Sequence, residues 1–126
     1  MKLRYLLGAA AALGLAGFTA SAAMAADAAN GEALFKQKCQ VCHSLVAGKQ
    51  GIGPSLAGVI GRTAGTLDGF PRYSKALTGS GIVWDAAALD TWLADTKAAV
   101  PGSQMPFGPI RDAATRADII AFLESQ

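Results

Sequence analysis

Apolar positions return at helical spacing in three parts of the chain. From Asp27 to Lys38, Leu34 and Phe35 lie on the side that leads on to Cys39 and Cys42, which predicts a helix that delivers this face to the core. Asp27 or Asn30 would cap it by accepting a hydrogen bond from an orphan backbone N–H. Gly31 is a poor helix former; it marks either close approach to another helix or simply the helix start. Asp85 caps a second predicted helix through about Ala94, with Leu89, Trp92 and Leu93 on one face. Asp112 caps a third, about Ala113 to Glu124, whose apolar side carries Ile119, Ile120, Phe122 and Leu123. Arg111 and Arg116 read as solvated. Ser74 to Thr78 predicts a short helical turn, capped by Ser74 and stopped by Gly79 and Gly81.

Between these elements the pattern is irregular. Glycines recur from Gly48 to Gly69, with Pro54 among them and no alternating strand pattern, so this stretch reads as compact loops. Long irregular stretches are unusual in small domains. A large cofactor wrapped by the loops would explain this one, with Ile52, Leu56, Val59 and Ile60 packed on it. A second loop, 99–109, holds Pro101, Pro106 and Pro109 around Met105; the prolines prevent a regular helix and stiffen the loop.

The first residues set the compartment. Lys2 and Arg4 precede an uncharged run from Tyr5 to Phe18, and Ala23-Met24-Ala25 supplies small residues at a cleavage site. This is the pattern of a secretory signal peptide, residues 1–25, with cleavage after Ala25 or, as the near alternative, Ala26. A retained membrane anchor competes, but the apolar run is short of the roughly 20 residues a span needs. Residues 26–126 then form one small domain, expected to be periplasmic, soluble and without stable membrane insertion. With Lys2 and Arg4 in the leader, the rest of the chain balances nine basic against nine acidic residues. That argues against nucleic acid as a partner.

The chemistry centres on Cys39-Gln40-Val41-Cys42-His43, the C-x-x-C-H signature of c-type haem attachment. Two thiols three residues apart would add to the two vinyl groups of a porphyrin, and His43 would offer an imidazole to the iron. These are the only cysteines and the only histidine in the chain. A thioredoxin-like pair would want a preceding strand, a zinc site would want a fourth ligand, and a plain disulfide leaves His43 unexplained. The carbonyl of Pro54 would accept the Nδ1–H of His43 and leave Nε2 for iron, although a simple turn proline explains Pro54 equally well. Met105 is the only methionine after the leader. It is either core filler or a soft sixth ligand; the stiff loop and the lack of a second histidine favour the ligand. Trp84 and Trp92 read as core aromatics, with a haem propionate as a candidate acceptor for a buried indole N–H. A second C-x-x-C-H is absent, so one haem is expected.

These blocks, in this order, resemble class I cytochrome c of the mitochondrial and bacterial cytochrome c2 type. The resemblance runs from about Asn30 to Leu123. It rests on Gly31 and Phe35 before the C-x-x-C-H, Gly53-Pro54-Ser55-Leu56, Gly61-Arg62, Gly69-Phe70 followed by Tyr73, Gly81-Ile82 before Trp84, and Pro101-Gly102-Ser103-Gln104-Met105 with Phe107. It implies an all-α fold, three main helices and loops around one covalently bound haem c. It further implies His43 and Met105 as axial ligands and Pro54 as the partner of His43. Arg62, Tyr73 and Trp84 would bond a propionate, Gly31 and Phe35 would pack near Phe122, and Trp92 would lie near Met105, where the family often has tyrosine. The chain departs from the pattern in two places. Phe70 to Tyr73 is one residue longer than usual, with Pro71 in it, and Gln104 stands where lysine is common.

The function this implies is transfer of one electron at a time between periplasmic or membrane-bound redox partners, by a monomer with no catalysis of its own. Two rivals share the fold: a haem subunit dedicated to one periplasmic dehydrogenase or oxidoreductase, and a ligand binder or haem enzyme with an open sixth site.

Overall fold

The computed structural model describes Gly17 and residues 25–126; the stretch read as a leader otherwise lies outside the described residues. Five helices are present among them, α1 (Ala28–Lys38), α2 (Lys75–Thr78), α3 (Ala86–Ala94), α4 (Thr96–Ala99) and α5 (Ala113–Glu124). There is no strand among the described residues, only one antiparallel bridge between Thr63 and Val83.

Short polar side chains start every helix. Asp27 accepts from the N–H groups of Ala29 and Asn30, Ser74 from Leu77, Asp85 from Ala88, and Asp112 from Thr115, each satisfying donors that a first turn leaves unpaired. Asn30 is not the cap of α1. Its side-chain amide instead donates to Asp118 Oδ2 of α5 at 2.7 Å. The expected capping positions therefore hold, and α4 is the element that periodicity did not predict. Asp95 is extended and serves twice, closing α3 and capping α4 through Lys97 and Ala98.

The core is built on α1 crossing α5, with α3 against α5. At the crossing, Gly31 is buried and its Cα faces the carbonyl of Asp118. Below it the rings of Phe35 and Phe122 meet with centroids 5.5 Å apart. Asp118 also accepts the backbone N–H of Asp27 at 2.8 Å, so one carboxylate fastens the start of α1 to α5. The Asn30 amide and the Asp27 N–H hold this carboxyl below the ordinary aspartate range. A depressed carboxyl stabilises the fold above its unfolded pKa, and that contribution is lost as pH falls through the folded one. Asp118→Ala should therefore lower the melting temperature by a few degrees at pH 7, and the gap to wild type should narrow as pH falls below the ordinary aspartate range. A gap that stays constant with pH would show that the charge contributes nothing.

Arg116 is not solvated. Its side chain is 12% exposed, donating to Asp90 of α3 at 2.7 Å and to the carbonyls of Ile110 and Arg111. It thus ties α5 to α3 and to the end of the 100–110 loop. Ile60 also departs from expectation: at 38% exposure it points outward, while its neighbour Val59 takes the buried position. A short pairing joins the loops to the segment before α3: Gly61 N donates to Trp84 O, Trp84 N to Arg62 O, and Ala64 N to Ile82 O. This sets Arg62 beside Trp84.

Candidate functional site

α1 ends one residue before the first cysteine. Cys39 is its C-cap, and the chain then turns tightly, with the N–H groups of Cys42 and His43 both donating to Cys39 O. The turn keeps helix-like spacing past the end of the helix, so both thiols stay on one side. Both cysteines are free and half-buried. Burial pushes the Cys39 thiol up to about 11, against a lowering influence from Lys38, so it is protonated at neutral pH.

His43 follows in the same turn. Its Nδ1 lies 2.8 Å from the carbonyl oxygen of Pro54. A carbonyl only accepts, so Nδ1 carries the proton and Nε2 keeps its lone pair. Burial lowers the imidazole pKa, opposed by the Pro54 bond and assisted by the Arg62 charge; the ring is neutral at pH 7 and suited to coordinate a metal. The Gly51–Pro54 turn fits closely against it. Gly53 N donates to Cys42 O at 2.9 Å, and a Cβ on Gly53 would stand 2.8 Å from Nδ1 and 2.9 Å from Nε2.

Met105 arrives from the far end of the chain on a loop fixed at several points. Ser103 Oγ donates to Thr96 O at 3.0 Å inside the core. Ile110 N donates to Leu93 O, and Phe107 N to Met105 O. Three prolines and these bonds leave the methionine few alternative positions.

All of these groups line one cavity of about 400 Å³, within the range of small-molecule and cofactor sites. Cys39, Cys42, His43, Pro54, Arg62, Tyr73, Trp84 and Met105, the residues singled out in the sequence, each contribute to its wall. Leu56, Val59, Leu93, Trp92 and Phe107 supply apolar surface, and the Trp84 and Trp92 rings pack at 5.4 Å. Ile52 sits at the mouth, 62% exposed, and Ile60 is not part of the wall. The charged residues along the wall are Lys38, Arg62 and Arg72, with no carboxylate among them. An apolar body with anionic substituents, two sites for thioether linkage and nitrogen and sulfur donors for a metal is what this wall accepts. A haem with two propionates answers each requirement. Arg62 already donates to Ser55 O and Ala57 O, so only part of its fork is free for such a carboxylate. Arg72 is the wall residue with the weakest signal in the sequence, a cation between Phe70 and Tyr73.

Comparison with known proteins agrees with this geometry. The family model described as Cytochrome c matches residues 28–126. Cytochrome c2 of Rhodomicrobium vannielii is 44% identical over 110 residues, 86% of this chain and 86% of that protein. Cytochrome c2 iso-2 of Magnetospirillum fulvum is 49% identical over 87 residues, 69% of this chain and 90% of that one. Among solved structures, cytochrome cH from Methylobacterium extorquens superposes with a TM-score of 0.73 at 46% identity, covering 79% of this chain and 99% of that chain.

Proposed function

The chain belongs to the cytochrome c family, and from this premise we propose that it is a periplasmic single-haem electron carrier whose iron is held between His43 and Met105. Haem c, covalently attached and one per chain, supplies an iron that takes up and returns one electron. The residues around it do the rest. Cys39 and Cys42 would each add S–H across a vinyl double bond, so the cofactor cannot leave. His43 would offer Nε2, its ring fixed by the Pro54 carbonyl. Met105 would offer its thioether sulfur, a soft ligand that favours the reduced metal and raises the potential. Arg62, Tyr73 and Trp84 would meet the propionates. With His43 and Met105 both given to the iron inside an apolar wall, this site would leave no room for a substrate, which would suit transfer rather than catalysis.

The observation that carries the proposal is the convergence of both cysteines, the only histidine and the only methionine after the leader on one cavity. The N-terminal pattern supports export, with removal of residues 1–25. No helix among the described residues is long and apolar enough to cross a membrane. The partners would be periplasmic or membrane-bound oxidoreductases, met by a monomer. Made with the c-type maturation machinery, the protein should retain one haem after denaturation and titrate as a single one-electron couple. Its reduced spectrum should be indifferent to carbon monoxide; binding of the gas would reveal an open sixth site and contradict the proposal.

A second role, as a haem subunit dedicated to one oxidoreductase, draws on one feature. Val41, between the two cysteines, is 78% exposed, and Ile52 at the cavity mouth is 62% exposed. Apolar side chains beside the site would let a partner dock without strong charge. Together with the balance of nine basic and nine acidic residues, this predicts a shallow salt dependence. The rate of electron exchange with a physiological oxidoreductase should fall less than about tenfold between roughly 0.01 and 0.1 M salt. A steeper fall would mean that Lys38 and Arg72 at the mouth dominate docking.

A further inference from the structure

Arg72 reaches across the mouth of the cavity. Its Nη2 donates to the carbonyl of Gly51 at 2.6 Å and to that of Ile52 at 3.3 Å. Its guanidinium carbon lies 5.5 Å from the centroid of the Phe70 ring, which meets the Tyr73 ring edge-on at 4.8 Å. One side chain therefore joins the 70–73 loop to the 51–54 turn. That turn is the part of the chain that addresses His43. Gly51 N donates to Gly53 O, Gly53 N donates to Cys42 O, and Pro54 O receives the His43 ring. Among the described residues, no other protein donor reaches the carbonyls of Gly51 and Ile52.

We propose that Arg72 is a positioning residue for His43: by clamping the Gly51–Pro54 turn from across the cavity, it keeps the Pro54 carbonyl on Nδ1. The clamp depends on shape as well as charge. Both bonds come from Nη2 while the guanidinium carbon stays over the Phe70 ring; the compact ammonium of lysine lacks the planar group that spans the ring and the carbonyls. Arg72 is exposed, so its bonds compete with water and add little to global stability. Their effect is local, on how often the turn opens. This inference rests on the assignment of His43 and Met105 as ligands.

The test uses the haem-loaded protein with Arg72→Lys and Arg72→Gln. Hydrogen exchange of the Gly53 amide should quicken about tenfold in both variants. In the oxidised state the His43 ring resonances should shift in both. Exchange in α5 should match wild type. Lysine keeps the charge, so an Arg72→Lys protein that behaves as wild type would reduce the role to charge and overturn the proposal. Unchanged exchange and ring signals in both variants would overturn it as well. A wild-type spectrum without an iron–sulfur band would remove the ligand assignment beneath it, and the two failures are thereby told apart.

Discussion

Replacing Gly31 with alanine should lower the melting temperature of the haem-loaded protein by on the order of 10 °C. A methyl at this position would fall on the carbonyl oxygen of Asp118, 2.5 Å from the carbonyl carbon and 2.9 Å from Phe122 Cβ. Two of these are backbone atoms, so no rotamer change makes room. α1 and α5 would have to part, and the Phe35–Phe122 contact and the Asp118 bonds to Asp27 and Asn30 would part with them. Alanine gains about 1 kcal/mol of helix propensity over glycine. Overpacking in a core costs about 1–3 kcal/mol and occasionally more, and a clash with rigid backbone belongs at the upper end. A net loss of about 2 kcal/mol or more follows, at roughly 4–8 °C per kcal/mol for a domain this size. A thermal melt decides it; a shift of only a degree or two would show that the helices separate at little cost.

Gly53→Ala should act on the site rather than on the fold. The methyl would lie over the His43 ring, close to both nitrogens. The ring would have to tilt, and tilting breaks the 2.8 Å bond to Pro54 O and misdirects Nε2. Loss of such an orienting partner costs a metal site about 10–100-fold in affinity or activity. Cys39 and Cys42 would still be free to bind haem covalently. The expected product is a protein with attached haem, a weakened iron–His43 bond and new sensitivity to carbon monoxide in the reduced state. An unchanged spectrum together with indifference to the gas would mean that the turn yields and His43 does not need it.

Much of this was legible in the sequence, for identifiable reasons. Asp27, Ser74, Asp85 and Asp112 announce the helices because short polar side chains compete for backbone donors, a purely local matter. Cys39, Cys42, His43 and Met105 stand out because each type is so scarce after residue 25 that few pairings need weighing. What stayed hidden is tertiary. α4 is four residues long, too short to show a period. Ile60 and Val59 occupy an irregular stretch, where no repeat tells which side chain turns inward. Arg116 sits at a polar helical position, and nothing local reveals that Asp90 and the carbonyl of Ile110 await it. Arg72 bonds to residues about twenty positions earlier, a distance closed only when the loops fold around the site.

The most direct test of the central claim, iron held between His43 and Met105, is the absorption spectrum of the oxidised protein, taken for wild type and for Met105→Ala. A weak far-red iron–sulfur band in the wild type that is lost in the variant is the predicted result. No such band in the wild type, with carbon monoxide binding to its reduced form, would contradict it and leave an open iron in place of a closed carrier.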